Sequence, residues 1–201
     1  VGQQGVPEEL YQEFLSDITE EIDRENKIIT DLLSLVKMDK KAADMNITNM
    51  NINELLENIL KRLRPIADQR SISLILDSFR PVNADVDEVK FTLAISNLVE
   101  NGIKYNVDEG WVRVTLDADH KDFFVTVEDS GLGIPEDSIE RIFERFYRVD
   151  KSHSREIGGT GLGLAITRSS IVMHHGTIKV SSKEGEGTTF NVKIPLSYIP
   201  S

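Results

Sequence analysis

Ser96-Asn97-Leu98-Val99-Glu100-Asn101-Gly102-Ile103-Lys104-Tyr105-Asn106 is the stretch that decides the fold and the site of this chain. It forms the end of a predicted helix that runs from about Val86 and is apolar around most of its circumference. The polar side of this helix consists of Lys90, Asn97, Glu100, Asn101 and Lys104. A helix that is apolar nearly all round is normally buried, and a buried amide without a partner costs about 1–3 kcal/mol. The two asparagines therefore need either a polar ligand or contact with water.

The composition limits the classes of protein to which the chain can belong. Its 201 residues, 39% of them hydrophobic, can form one compact domain plus an appendage. Cysteine is absent, which excludes disulfides and thiolate zinc sites and fits a reducing compartment. No long apolar run or signal-peptide pattern occurs, so we expect a soluble, cytoplasmic chain. The net charge of −11 argues against nucleic acid as a partner but leaves small anions possible.

After a flexible leader at residues 1–6, a long helix is predicted from Pro7 to about Lys41. Its apolar residues follow alternating steps of three and four, and only Glu25 breaks the series. They are Leu15, Ile18, Ile22, Ile29, Leu32 and Val36. A seam of that period favours a bundle or coiled-coil helix over a helix that packs only on its own domain. We therefore predict a partial helical domain at residues 7–45 and a second domain at residues 46–201.

The second domain is predicted to be an α+β, two-layer sandwich with helices on one face of a mixed, largely antiparallel sheet. Residues 44–53 are polar and are interpreted as a connector. The predicted helices are Ile52 to Asp68, Asp85 to Asn106, Asp137 to Phe143 and Gly161 to His174. The predicted strands are Ile72 to Leu76, the hairpin of Trp111 to Leu116 with Phe123 to Val127, and the hairpin of Thr177 to Ser182 with Thr188 to Ile194.

Two glycine-rich segments could hold a ligand. In Asp129-Ser130-Gly131-Leu132-Gly133, a carboxylate at a strand end precedes glycines that allow a sharp turn and the approach of a planar ligand. A carboxylate only accepts hydrogen bonds, which suits an exocyclic amine such as that of adenine; an ordinary turn is the alternative. Gly158-Gly159-Thr160-Gly161-Leu162-Gly163-Leu164 begins a helix, where free amides favour an anion; a flexible hinge is the alternative.

Between these segments, Arg141 to Lys151 carries three aromatic and four cationic residues. We expect Phe143 and Phe146 to hold a loop on the core, and Arg145 or Arg148 to reach a phosphate. A solvated amphipathic turn is the alternative. A loop of about 30 residues without regular structure is uncommon in a compact domain and is often a lid over a site.

These motifs together resemble a known family. Asn97 to Tyr105 looks like the N box, Asp129 to Gly133 the first glycine box, Phe143 to Phe146 the F box, and Gly159 to Gly163 the second glycine box. This order is that of the catalytic ATP-binding domain of bacterial two-component sensor histidine kinases, which belong to the wider ATPase family of gyrase and heat-shock chaperones. The long first helix resembles the second helix of the dimerisation and phosphoacceptor hairpin of those kinases.

The resemblance implies ATP and Mg²⁺ as cofactors and a role for each matching residue. Asn101 would coordinate Mg²⁺ with Asn97 nearby, Lys104 would neutralise phosphate charge and Tyr105 would pack against adenine. Asp129 would accept a hydrogen bond from the adenine amine beside Gly131 and Gly133. The phosphates would be held by Arg145 or Arg148 and by the segment of Gly159, Thr160, Gly161, Leu162 and Gly163. The implied partners are a response regulator receiver domain, the phosphoacceptor helix and a second copy of the chain.

The sequence also departs from the family pattern. The phosphoacceptor motif is missing, and His120, His153, His174 and His175 do not replace it. We therefore expect a fragment of a membrane-anchored kinase that begins after the first hairpin helix, binds Mg-ATP and cannot autophosphorylate. Gyrase-like relatives carry a general-base Glu where this chain has Asn97, which favours phosphoryl transfer over hydrolysis. Gly102 replaces the usual Ala, at a cost to the helix of up to about 1 kcal/mol.

Two other functions remain open from the sequence. One is an anti-sigma-type serine kinase of the same superfamily, against which the long heptad helix and the F-box-like segment argue. The other is a nucleotide-binding or dimerisation module without kinase activity, against which the four intact motifs argue.

Overall fold

A computed structural model describes residues 7–39, 45–149 and 159–200 of the chain. The predicted leader, the predicted helix end at Lys41 and His153 lie outside these residues. The helices are α1 (Glu8–Asp39), α2 (Ile52–Gln69), α3 (Glu88–Lys104) and α4 (Gly163–Met173), with one 3₁₀ turn at Glu136–Ser138. The strands are β1 (Ile47–Asn51), β2 (Ser73–Ser78), β3 (Asn83–Asp87), β4 (Trp111–Ala118), β5 (Asp122–Asp129), β6 (Thr177–Lys183) and β7 (Gly187–Pro195).

The main sheet has five strands in the order β2-β4-β5-β7-β6. The β2–β4 pair is parallel, and the other three pairs are antiparallel. Buried and partly exposed residues alternate along β4 and β5, so one face of the sheet carries the core. The buried side chains of α2 and α3 belong to this same core. The predicted two-layer sandwich with a mixed, largely antiparallel sheet is confirmed.

A second, two-stranded sheet pairs β1 with β3 in antiparallel fashion. The prediction of a connector at residues 44–53 was wrong, because Ile47–Asn51 forms β1 in the middle of that segment. The sequence prediction also lacked β3. Both strands are short and rich in Asn and Asp, so neither shows the β-branched alternation on which strand prediction depends.

Helix α3 begins at Glu88, later than predicted, because the Asp87 side chain caps it by accepting a hydrogen bond from the Lys90 amide. The Lys90 ammonium group pairs with the same carboxylate at 2.8 Å. Lys90 therefore lies about two turns before Asn97, at the opposite end of the helix from the polar cluster that the sequence predicted. Along α3 the apolar side chains are buried, as expected for a central helix.

Gly102 lies where α3 packs closely against the sheet. A Cβ atom at this position would be 3.0 Å from one methyl carbon of Val112 on β4 and 3.4 Å from the Cβ atom of Asp129. The absence of a side chain thus allows the helix backbone to approach the strands. Glycine at this position thus permits close packing on the sheet, at the cost in helix propensity that was expected from the sequence.

The predicted helix from Asp137 to Phe143 is absent. The segment has only the 3₁₀ turn at Glu136–Ser138, followed by turns that a hydrogen bond from the Tyr147 hydroxyl to the Ser138 hydroxyl (3.0 Å) holds together. Phe143 is partly buried and packs edge-on against Phe190, as expected. Phe146 was expected to be buried in the same way, but it is 57% exposed and contributes its backbone instead.

Helix α1 lies against α4 through one residue in particular. Leu35 is 2% exposed and packs in a small cluster with Leu162, Ala165 and Ile166. In contrast, the predicted heptad seam is exposed along its length, with Ile22 and Ile29 more than half exposed. Within the described residues, no helix combines the length and apolarity that crossing a membrane requires.

Candidate functional site

A cavity of about 540 Å³ lies between the second half of α3, the end of β5 and the start of α4. Helix α1 and the loop after β5 also contribute to its walls. Its lining includes the predicted site residues Asn97, Asn101, Lys104, Tyr105, Asp129, Gly133, Arg148, Gly159, Thr160, Gly161 and Gly163. The structure therefore brings most of the four predicted motifs to one cavity.

At one end of the cavity, Asp129 presents a carboxylate at the end of β5. Its Oδ1 atom accepts hydrogen bonds from the amides of Gly131 (2.8 Å) and Thr188 (3.3 Å). Among the described residues, the Oδ2 atom has no hydrogen-bond partner. Burial raises the pKa of Asp129 to about 6, so the side chain is mostly ionised at neutral pH. This end of the cavity thus offers a fixed acceptor to a ligand that donates a hydrogen bond.

The two glycines after Asp129 are required by close contacts between backbones. A Cβ atom at Gly131 would lie 2.4 Å from the carbonyl oxygen of Tyr105. Gly133 has a φ of 71°, and its Cβ would lie 2.1 Å from the carbonyl oxygen of Lys183. Gly131 is buried and stands behind the lining, whereas Leu132 and Gly133 face the cavity. This segment is therefore held against the end of α3 and the β6–β7 turn.

A side-chain network that the sequence analysis missed connects α3 to this glycine segment. The Asn106 amide donates to the carbonyl oxygens of Gly102 (2.8 Å) and Trp111 (3.0 Å), and its oxygen accepts from the Ser130 hydroxyl (3.0 Å). The same hydroxyl accepts from the Trp111 amide at 2.8 Å. Asn106 and Ser130 thus fix the position of Asp129 relative to α3. The sequence gives no signal for this pairing, because it depends on a contact between distant segments.

Amide side chains from α3 line the middle of the cavity. Asn97 donates a hydrogen bond from Nδ2 to the carbonyl oxygen of Gly163 (3.1 Å), which directs its oxygen away from that carbonyl. The partly exposed Asn101 amide has no hydrogen-bond partner among the described residues. Within the same residues, no three His, Asp or Glu side chains form a metal-binding group. A hard cation here would depend on amide and ligand oxygens, and Mg²⁺ accepts such a set because it keeps few protein ligands.

Cationic side chains surround the far end of the cavity. The Arg148 guanidinium donates to the carbonyl oxygen of Gly159 (2.8 Å), and a Cβ atom at Gly159 would be 2.5 Å from the Lys104 ammonium nitrogen. Burial lowers the pKa of Lys104 to about 8, and the positive charges of Arg148, Lys27 and Arg70 add to this effect. Such a group of like charges is suited to a polyanionic ligand.

Arg145 and Arg148, the two candidates for a contact with phosphate, differ in their positions. Arg148 lines the cavity, whereas Arg145 is exposed and is not part of the lining. Leu162, another predicted site residue, is buried in the contact with α1, and its amide donates to the Thr160 hydroxyl at 3.2 Å. The amides of Gly161 and Gly163 stand at the beginning of α4, where helix amides lack intrahelical acceptors.

The loop after β5 is attached to α4 through its backbone. The Phe146 amide donates to the Gly161 carbonyl oxygen (2.8 Å), and both residues have positive φ, 63° and 71°. A Cβ atom at Gly161 would be 2.9 Å from the Cα of Phe146. Glycine at position 161 is therefore needed for the contact between the loop and the helix.

His174 has a structural role remote from the cavity. It is 1% exposed; its Nε2 accepts from the Asp87 amide (3.0 Å), and its Nδ1 can donate to the Ser170 carbonyl oxygen (2.7 Å). Both contacts are satisfied only by the neutral ring that carries its proton on Nδ1. Burial lowers the pKa of His174 below its usual value of 6.5.

This arrangement predicts a loss of stability in mild acid. Because the unfolded chain takes up a proton at His174 near pH 6.5 and the folded chain does not, the free energy of unfolding should fall as the pH drops below 6.5. The slope from this group is up to about 1.4 kcal/mol per pH unit. Urea unfolding of the wild type and of His174→Gln between pH 7 and pH 5 measures it.

The comparison with His174→Gln isolates this effect, because the raised pKa of Asp129 acts in the opposite direction and is common to both proteins. His120→Gln, at an exposed turn, is the matched control and should keep the wild-type slope. Equal pH dependence in the wild type and His174→Gln would contradict the assignment.

The fold and the cavity are those of the nucleotide-binding domain of one class of ATPases. The model of the family described as histidine kinase-, DNA gyrase B- and HSP90-like ATPases matches residues 86–198. The chain belongs to this family.

Among curated relatives, the chain is 34% identical over 184 residues to the sensor histidine kinase WalK of Bacillus subtilis, covering 90% of this chain and 30% of the relative. It is 33% identical over 196 residues to the sensor protein kinase WalK of Staphylococcus aureus strain JH9, covering 96% of this chain and 32% of the relative. The chain thus spans about a third of the length of these relatives.

Among solved structures, the catalytic domain of histidine kinase ThkA superposes with a TM-score of 0.68 at 28% identity, covering 76% of this chain and 97% of that one. ThkA in complex with the response regulator protein TrrA gives a TM-score of 0.76 at 25% identity, covering 95% of this chain and 52% of that one. These similarities agree with the architecture of α1 followed by an α+β sandwich.

Proposed function

We propose that this chain is the ATP-binding catalytic part of a sensor histidine kinase. In the intact protein it would transfer the γ-phosphoryl group of ATP to a histidine of a phosphoacceptor helix, for relay to an aspartate of a response regulator. One observation carries the proposal: a partly buried carboxylate acceptor, Asp129, and a cluster of cations, Lys104 and Arg148, line one cavity of about 540 Å³. A purine with a polyphosphate tail has the complementary groups at its two ends.

The adenine amine would donate to the Oδ2 atom of Asp129, and Tyr105, which is 38% exposed at the cavity wall, would pack against the ring. Lys104 and Arg148 would compensate the phosphate charge together with the amides of Gly161 and Gly163. Asn101 would hold Mg²⁺ through its amide oxygen, and the metal would supply charge neutralisation for the transferred group. Phosphoryl transfer requires mainly such positioning and electrostatic compensation.

Asn97 supports transfer to a protein acceptor over ATP hydrolysis. An amide cannot take a proton from water, and the Asn97 amide group already donates to Gly163. Glu100, the carboxylate of α3 that lines the cavity, lies 3.6 Å from the Lys27 ammonium nitrogen. We therefore expect slow hydrolysis of ATP by the chain alone.

We further propose that residues 7–45 are the second helix of a dimerisation and phosphoacceptor hairpin, and that residues 46–201 form the catalytic domain. The support is the exposed seam of α1, which includes Leu15, Ile18 and Ile22 and would bury apolar area only against another helix. The similar kinase ThkA was solved in complex with a response regulator protein, which supports a receiver domain as a partner of the intact kinase. The exposed seam of α1 supports a second copy of the chain as a further partner.

Calorimetry with Mg-ATP tests the proposal directly. The purified chain should bind Mg-ATP with a stoichiometry of one, and incubation with γ-labelled ATP should leave the chain unlabelled because the phosphoacceptor motif is missing from the sequence. The nucleotide assignment would be contradicted if Mg-ATP gave no binding heat and did not compete with any other ligand of the cavity. A stable phosphoserine product would instead favour a serine kinase.

The pKa values of the two ends of the cavity predict the pH range of binding. Affinity for adenosine should fall as the pH drops below about 6, where Asp129 becomes protonated and loses acceptor strength. Affinity for ATP should fall as the pH rises above about 8, where the free protein has a neutral Lys104 that must take up a proton on binding. Each decline approaches about tenfold per pH unit at its limit.

Adenosine is used for the acid side because it has no phosphate that titrates in this range. The Asp129→Asn variant supplies the control, since whatever adenosine binding remains should not weaken in acid. A flat profile for the wild type between pH 7 and pH 5 would contradict the role of the carboxylate.

A further inference from the structure

Helix α1 has two different faces. The exposed seam lies on one of them, and the least exposed residues lie about 130° away at 100° per residue. These less exposed residues are Arg24, Ile28, Asp31, Ser34 and Leu35. Only Leu35 among them is fully buried, against the beginning of α4. The docking of α1 therefore leaves the seam available and places polar side chains of α1 beside the cavity.

Two side chains of this region reach the cavity and contact its walls. The Asp31 carboxylate accepts a hydrogen bond from the Thr160 hydroxyl at 2.8 Å, and the same hydroxyl accepts from the Leu162 amide at 3.2 Å. The Lys27 ammonium nitrogen lies 3.6 Å from the Glu100 carboxylate, next to Asn101 on α3. Both Lys27 and Asp31 line the cavity.

The charge of Lys27 acts at the same end of the cavity as those of Lys104 and Arg148. Its field is one of the contributions that disfavour the protonated form of Lys104 in the free protein. A bound polyanion relieves this repulsion, and Lys27, which is 58% exposed at its side chain, can turn toward it without leaving a buried partner unpaired. The Asp31 contact acts differently, because it holds the Thr160 turn that leads into the first residues of α4.

We propose that helix α1 completes the nucleotide site: Lys27 adds positive charge at the polyphosphate end, and Asp31 fixes the Thr160 turn, so that ATP binding and the docking of α1 favour each other. This inference rests on the proposed function, since it requires that the cavity bind a nucleoside triphosphate. By linkage, the factor by which docked α1 strengthens ATP binding equals the factor by which ATP strengthens docking.

Calorimetry on two charge variants tests whether α1 strengthens ATP binding. Lys27→Ala should weaken Mg-ATP binding by about fivefold, the effect expected for one exposed charge pair, and should leave adenosine binding unchanged. Asp31→Ala should weaken ATP binding to a similar extent. The matched controls on exposed positions of the same helix, Lys37→Ala and Asp23→Ala, should retain wild-type affinity.

If Lys27→Ala and Asp31→Ala bind ATP as the wild type does, the inference is overturned while the proposed function stands. If the wild type binds neither ATP nor adenosine, the proposed function fails first. If Lys27→Ala weakens ATP and adenosine equally, its effect is on the fold and the inference is again overturned.

Hydrogen exchange tests whether ATP strengthens the docking of α1, without any measurement of affinity. Saturating Mg-ATP should slow amide exchange in residues 24–35 of α1 in the wild type, and should leave residues 9–20 of the same helix unchanged. In Asp31→Ala at equal nucleotide saturation, the slowing should be lost. Exchange in residues 24–35 of the wild type that does not respond to ATP would overturn the coupling.

Discussion

Replacing Asp129 by asparagine should lower the affinity for ATP by about a hundredfold. In the wild type, Oδ1 accepts from the Gly131 and Thr188 amides and leaves Oδ2 for the ligand. An asparagine must present its NH₂ group either to these two amides or to the adenine amine, so a donor faces a donor in both orientations. A buried donor left without an acceptor costs up to about 3 kcal/mol, which is about a hundredfold in affinity.

The same variant should change the base preference. An NH₂ group directed into the cavity can donate to the carbonyl oxygen of guanine, so the ratio of ATP to GTP affinity should fall in Asp129→Asn. Competition calorimetry with both nucleotides measures this ratio. Glu128→Gln, at the neighbouring position of β5 on the opposite face, is the matched control and should keep the wild-type values. An unchanged ATP affinity in Asp129→Asn would remove the carboxylate from the site.

Asn101→Ala should abolish most of the effect of Mg²⁺ on ATP binding. Because the Asn101 amide has no hydrogen-bond partner among the described residues, its loss should affect the metal much more than the fold. The removal of a residue that only hydrogen-bonds to a metal ligand already lowers the affinity of a site for its metal by about 10–100-fold. We therefore expect Mg²⁺ to strengthen ATP binding at least about tenfold more in the wild type than in Asn101→Ala.

Titration of ATP in EDTA and in excess Mg²⁺ gives this factor for each protein. The control is Asn191→Ala, an exposed asparagine on β7 whose oxygen lies 3.1 Å from the Thr126 hydroxyl. A Mg²⁺ effect in Asn101→Ala as large as in the wild type would assign the metal to other ligands. Adenosine, which lacks phosphates, should bind both proteins equally.

The central helix and the antiparallel hairpins were predictable because their patterns are periodic. Helix α3 is apolar on most sides and therefore had to be buried, and β4 and β5 alternate buried and partly exposed residues. Strands β1 and β3 were not predictable, since Ile47–Asn51 and Asn83–Asp87 carry mostly polar residues and are stabilised by each other. Local sequence cannot report a pairing of that kind.

The candidate site was predictable in its motifs and less so in its supports. Three of the four motifs identified residues that line one cavity, from Asn97 to Gly163, whereas no residue of the segment from Phe143 to Phe146 is part of the lining. The Asn106–Ser130 network and the contacts of α1 were missed, because each joins segments that are far apart in the chain. In α1 the heptad pattern reported only the apolar seam, and the docking face, with Asp31 and Lys27 near it, has no period that stands out from an ordinary solvated surface.

Gly102 affects the distance between two walls of the cavity. The Asn101 amide and the Asp129 carboxylate belong to different layers of the sandwich, and the distance between them depends on how closely α3 approaches the sheet. At Gly102 that approach is limited only by a hydrogen atom, since a Cβ would already touch both Val112 and the Asp129 Cβ. A larger residue at position 102 would widen the gap between the Asn101 amide and the Asp129 carboxylate, and the length of ligand that can contact both side chains would change with it.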